Sequence, residues 1–98
     1  MDANVDTIRT KVSSDPRWAQ RAILALYERQ TIDEQNSGFT VYKNGMGFSG
    51  YDAEILTSFA KQIGNGRTLT TKQLAVAYRR LPRYAKQLAL VAEERQAA

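Results

Sequence analysis

Few residues in this chain are of a type that does chemistry, and those few exclude most of it. The sequence has no His and no Cys. That removes the usual general base at neutral pH, the thiol nucleophile, Cys-based zinc sites and most transition-metal ligands. The remaining acids pair as Asp33-Glu34 and as Asp52 with Glu54. Both pairs read as helix-end or exposed-turn positions, where capping and solvation outweigh a hard-metal site. No catalytic residue, metal or cofactor is assigned, and the chain reads as non-enzymatic.

One glycine pattern asks for a check. Gly45-Met46-Gly47-Phe48-Ser49-Gly50 matches G-x-G-x-x-G after a β-prone run and before a helix. In a dinucleotide fold such glycines cradle phosphates. Here no second parallel strand follows, and no acid waits about 20 residues on to hold a ribose. Asp52 and Glu54 also occupy the helix start where phosphate charge would sit. The glycines therefore read as serving a hairpin and a tight strand-to-helix turn.

The basic residues carry the stronger pattern. Between Glu54 and Glu93 there is no acid, and seven bases fall in that gap: Lys61, Arg67, Lys72, Arg79, Arg80, Arg83 and Lys86. Lys72, Arg79, Arg83 and Lys86 are spaced 7, 4 and 3 apart. That spacing puts them on one helical face, or nearly so across a break at Pro82. Arg80 flanks them, Arg67 lies upstream, and Tyr78 and Tyr84 are interleaved. Such a face suits phosphate contacts, with aromatics to stack on unpaired bases. It equally suits an acidic protein surface, and Tyr78 is also placed to be core.

The whole chain repeats the asymmetry. Net charge is +4. Residues 1–54 hold six bases and eight acids, whereas residues 55–98 hold eight bases and two acids. A positive half attracts polyanions, and solvated Lys and Arg kept for solubility give the same count. No apolar run reaches the roughly 18–20 residues that span a bilayer, and the first residues lack a signal-peptide pattern. The expectation is a cytoplasmic, single-domain protein of residues 1–98 with no membrane partner.

The elements that position these residues read as mainly α: a compact bundle of four or five short helices with one small β-hairpin at about 39–48. Val5, Ile8 and Val12 mark a first short helix. Asp15-Pro16 starts a second, whose apolar face holds Trp18, Ala19, Ala22, Ile23, Leu26 and Tyr27. Trp18 and Tyr27 are read as core. Phe39 to Tyr42 alternates, and Asn44-Gly45 is a two-residue hairpin turn. A third helix buries Ile55, Leu56, Phe59 and Ile63, and Gly64-Asn65-Gly66 ends it. Thr70 to Gln73 is a capping box, with Leu69 and Leu74 placed as a hydrophobic staple. Pro82 pushes Leu81 off helical angles. It reads as the first residue of a last helix, with a kinked continuous helix as the second choice. The joint is too tight, and lacks the glycine, for a helix-turn-helix motif.

The stretch Thr31 to Leu88 resembles a short module in phage- and plasmid-encoded proteins of DNA metabolism. The resemblance rests on Asn44-Gly45, Gly47-Phe48, Asp52-Ala53, Leu69-Thr70, Lys72-Gln73 and Tyr84. In such proteins the module stands alone or accompanies helicase-type domains, and it brings no catalytic residue with it. Together with the basic face, the resemblance implies a sequence-nonspecific nucleic-acid-binding accessory protein of a phage or other mobile element. Arg67, Lys72, Arg79, Arg80, Arg83 and Lys86 would make the contacts. The chain is also similar in size to the small phage inhibitors of host nuclease defence, including anti-CRISPR proteins. That alternative implies an acidic or RNA-containing host complex as the partner, in the host cytoplasm.

Overall fold

Among the described residues five α-helices form, each contributing apolar side chains to one core. The computed structural model describes residues 3–37 and 48–97, with side chains over 5–29 and 48–93. In chain order these are α1 (Ala3–Val12), α2 (Pro16–Ser37), α3 (Gly50–Gly64), α4 (Thr71–Arg80), a 3-10 turn (Leu81–Tyr84) and α5 (Ala85–Ala97). No strand occurs among the described residues. Of the hairpin expected at 39–48, all but Phe48 lies outside them. Phe48 is buried in the core.

The core is built from one stripe of each helix. Ile8 and Val12 come from α1, and Ala19, Ala22, Ile23 and Leu26 from α2. Leu56, Phe59 and Ala60 come from α3, with Ala77 from α4 and Ala85, Leu88 and Val91 from α5. These are the positions three and four apart that share a helical face. The Asp15 carboxylate accepts the Arg17 N–H at 2.9 Å, so the start of α2 is capped as its sequence requires.

Trp18 departs from its expected place in the core. It is 40% exposed, on the rim of an open groove of about 330 Å³ lined also by Ile8, Ala22, Leu88 and Val91. Its position explains this. Trp18 precedes the buried line of Ala19, Ala22, Ile23 and Leu26, and beside it α2 offers the groove residues Arg21, Ala22 and Ala25, none of which is a large apolar side chain that could enclose an indole.

The joint between α3 and α4 is held by side-chain amides. Thr70 Oγ1 accepts the Gln73 N–H at 3.2 Å, and Gln73 Oε1 accepts the Thr70 N–H at 2.9 Å, so the capping box forms. The same Gln73 exchanges two hydrogen bonds with Gln62 of α3, at 3.0 and 2.9 Å. Gln62 also donates to the Thr68 carbonyl at 3.0 Å. Leu69 is buried, and its N–H donates to Gln20 of α2 at 2.9 Å. Gly66 takes φ 87°, the left-handed value that glycine accepts without strain.

At Pro82 the α-helix is interrupted, as expected, but no new α-helix starts there. Leu81 keeps helical angles, φ −68° and ψ −32°. Pro82 sits inside the 3-10 turn, and α5 begins only at Ala85. Two things correct the expectation that Leu81 leaves helical angles and Pro82 opens the last helix. Leu81 is fully buried, so packing holds it against the preference that Pro82 imposes. The turn's i to i+3 bonding also changes which donors are required. The Ala85 N–H reaches the Pro82 carbonyl, while the ring's missing N–H falls at the start of the turn.

Candidate functional site

The buried and exposed stripes both run through the 3-10 turn, and together they build the site. On the inner side, Ala77, Leu81, Tyr84, Ala85 and Leu88 are buried. On the outer side, Lys72, Ala75, Arg79, Arg83, Lys86 and Leu90 are all exposed. Those outer positions step by 3, 4, 4, 3 and 4, the spacing of one helical face. Lys72, Arg79 and Lys86 make no ion pair among the described residues. Arg67 is exposed in the loop before α4, and Lys61 is exposed on α3.

Arg80 and Arg83 are engaged differently, and the cause is Asp52. Asp52 lies four residues before Leu56 and seven before Phe59, so it shares their inward face. It is 0% exposed, which corrects its expected place as an exposed helix-end acid. A carboxylate in that position must be paired to remain charged. Arg80 Nη1 meets Asp52 Oδ1 at 2.5 Å. The Tyr84 hydroxyl donates to Oδ2 at 2.6 Å, and Ser49 Oγ lies 3.4 Å from the same oxygen. Arg83 Nη1 stands 3.6 Å from Oδ2, an ion-pair distance beyond a hydrogen bond. Two cations therefore face one anion. Arg80 is spent on the pair, while Arg83 keeps 56% of its side chain in solvent.

Tyr84 completes the cluster from the inner side. Its oxygen accepts the Ser49 N–H at 3.0 Å, and its ring meets Phe48 edge to face with centroids 6.4 Å apart. It is buried, so it is not the stacking surface its place among the bases suggested. Tyr78 is half-buried and packs against the core.

The hydrogen bond to Asp52 raises the Arg80 pKa above its ordinary value. Burial, and then the bond to Asp52, raises the Tyr84 phenol above its ordinary 10.0. A raised folded-state pKa means that the native state holds this proton more tightly than the unfolded chain does. The resulting stability is fully present below the unfolded pKa and declines as pH rises through the folded value. Urea unfolding followed above about pH 10 is expected to show falling stability, and Tyr84→Phe to flatten that slope. An unchanged slope in the variant would assign the alkaline loss to other groups.

One residue with no earlier role stands next to this cluster. Tyr51, the residue before Asp52, is 79% exposed. The Arg80 guanidinium carbon lies over its ring, 5.1 Å from the centroid. That is within cation–π range. Tyr51 stands four residues before Ile55, at the edge of the stripe of Ile55, Leu56, Phe59 and Ile63, so helical register gave no sign of its exposure.

Fold and site together define a helical domain that presents an exposed basic line anchored on a buried carboxylate. Among the described residues no helix is long and apolar enough to cross a membrane, and no group of acids is placed to hold a metal ion. Comparisons with protein-family models, curated proteins and solved structures found no match for the chain.

Proposed function

We propose that this chain is a non-enzymatic, sequence-nonspecific nucleic-acid-binding protein. In keeping with the resemblance of Thr31 to Leu88, it would serve as an accessory factor of a phage or other mobile element. The observation that carries the reading is the exposed line of Lys72, Arg79, Arg83 and Lys86, which no carboxylate interrupts. Lys72, Arg79 and Lys86 are the free phosphate contacts, and Arg83 is a partly shared one. Arg67 extends the line beyond the start of α4, and Arg80 supports it from within. Bases so arranged displace condensed counterions from a phosphate backbone, so affinity falls as salt rises.

Fluorescence anisotropy with labelled oligonucleotides at two salt concentrations tests this. Binding in the micromolar range that weakens steeply with salt is expected. No binding at low salt overturns the reading.

A second reading is a protein-binding inhibitor of a host nuclease defence complex. It draws on Trp18, which is 40% exposed beside an apolar groove and is an unusual residue to leave in solvent on a basic protein. It predicts a stable complex with a host protein that Trp18→Ala disrupts, together with weak oligonucleotide binding. Capture unaffected by that change counts against it.

A further inference from the structure

We propose that Tyr51 is a base-stacking platform and that the strand this protein holds is single-stranded. The inference rests on the nucleic-acid reading above and deepens it. Three observations point the same way. First, Tyr51 leaves 79% of its surface in water, the largest exposure among the exposed large hydrophobic side chains. Core packing does not explain a ring left so open. Second, the ring is held in place. The Arg80 guanidinium lies 5.1 Å from its centroid, and Arg80 is itself fixed to the fully buried Asp52 at 2.5 Å. A platform oriented this way loses little side-chain freedom when a base arrives. Third, Arg83 is tied to the same carboxylate at 3.6 Å and belongs to the exposed basic line. Asp52 therefore holds both the cation under the aromatic ring and a cation of the exposed basic line, bringing to one carboxylate the two parts that single-strand binding combines.

In a duplex both faces of each internal base are covered by its neighbours, so Tyr51 has nothing to stack on. In a single strand a base can leave its neighbours and lie on the ring while the adjoining phosphate meets Arg83. Every base offers a π-face, so the contact carries no sequence preference. It does add a preference for strand state that bases alone do not give. Arg80 below the ring makes the stack a cation–π sandwich, which strengthens with desolvation.

The test compares Tyr51→Ala and Tyr51→Phe on labelled oligothymidylate and on a duplex of the same length, by anisotropy at one low salt concentration. Tyr51→Ala is expected to weaken single-strand binding by about tenfold or more, the scale of one lost base stack. Duplex binding stays within about twofold, since the phosphate contacts remain. Tyr51→Phe keeps the ring and retains single-strand affinity. Circular dichroism checks that Tyr51→Ala is folded, as expected for so exposed a side chain. Equal losses on single strand and duplex, or no loss on the single strand, overturn the platform while leaving the basic-line reading intact. Absence of binding to either probe by the unaltered protein overturns both. An oligouridylate compared with an oligodeoxyuridylate of the same length shows whether the 2′-hydroxyl matters. Equal affinity places recognition in the stacked base and the phosphate.

Discussion

Asp52→Ala is expected to lower the melting temperature by more than about 10 °C, the largest stability change among the polar residues described. The substitution removes the closer acceptor of the buried Tyr84 hydroxyl, leaving it Ser49 Oγ at 3.2 Å, and leaves two guanidinium groups without their anion. Removing one partner of a buried pair typically costs about 3–5 kcal/mol. Arg80 keeps 28% of its side chain in solvent and Arg83 keeps 56%, so both recover some hydration and the lower end, about 3 kcal/mol, applies. In a domain of this size each kcal/mol moves the transition by about 4–8 °C. Asp52→Asn keeps the shape and one acceptor and should fall between. Thermal unfolding by circular dichroism decides, with Glu54→Ala as the exposed control within about 0.5 kcal/mol of the parent. A loss at Asp52 no larger than the control's would mean that the cluster does not hold the fold together.

The second large effect concerns binding. Lys72→Gln, Arg79→Gln and Lys86→Gln combined should lower low-salt affinity on the order of a hundredfold. On a duplex the same triple change should flatten the plot of log affinity against log salt by about 2.7, or 0.9 for each lost phosphate contact. These three are chosen because they form no ion pair among the described residues, so their removal leaves Asp52 and its partners alone. The variant should melt within a few degrees of the parent. An unchanged salt slope would place the binding surface elsewhere on the molecule.

Much of the fold was legible because local chemistry and global packing agree. The Asp15-Pro16 start, the Thr70–Gln73 box and the stripes of Ile8/Val12 and Leu56/Phe59 each satisfy a local rule that the tertiary structure has no reason to override. The interruption at Pro82 was legible, but Leu81 keeps helical angles because the rule for a residue before proline is local, whereas Leu81 is held by a core assembled from distant segments. Trp18 was misread because a wide apolar face was credited with burying every large residue on it. Whether a ring is enclosed depends on neighbours from α1 and α5 that the sequence order does not show.

The site was half legible. The outer bases were visible as a periodicity, since charge at helical spacing is a property of one segment. The pairing of Asp52 with Arg80, Arg83 and Tyr84 joins residues about thirty apart in sequence. A sign of it was nonetheless present. Asp52 is in register with Leu56 and Phe59, and Tyr84 with Leu81 and Leu88. An acid and a phenol at core-facing positions must find partners inside. Naming Asp52 as a helix cap used its nearness to the helix start and passed over its register.

The amide pair of Gln62 and Gln73 has a consequence for how the bases are presented. It joins the end of α3 to the start of α4 with groups that neither titrate nor carry charge. Ionic strength and acidity weaken or strengthen the attraction between Lys72, Arg79 and Lys86 and a polyanion, but they have no purchase on that joint. The joint at the start of α4 is thus insulated from the variables that govern how strongly the helix attracts, while its far end is held through the Arg80–Asp52 ion pair. Across a salt titration that amide joint stays neutral while the charged face responds.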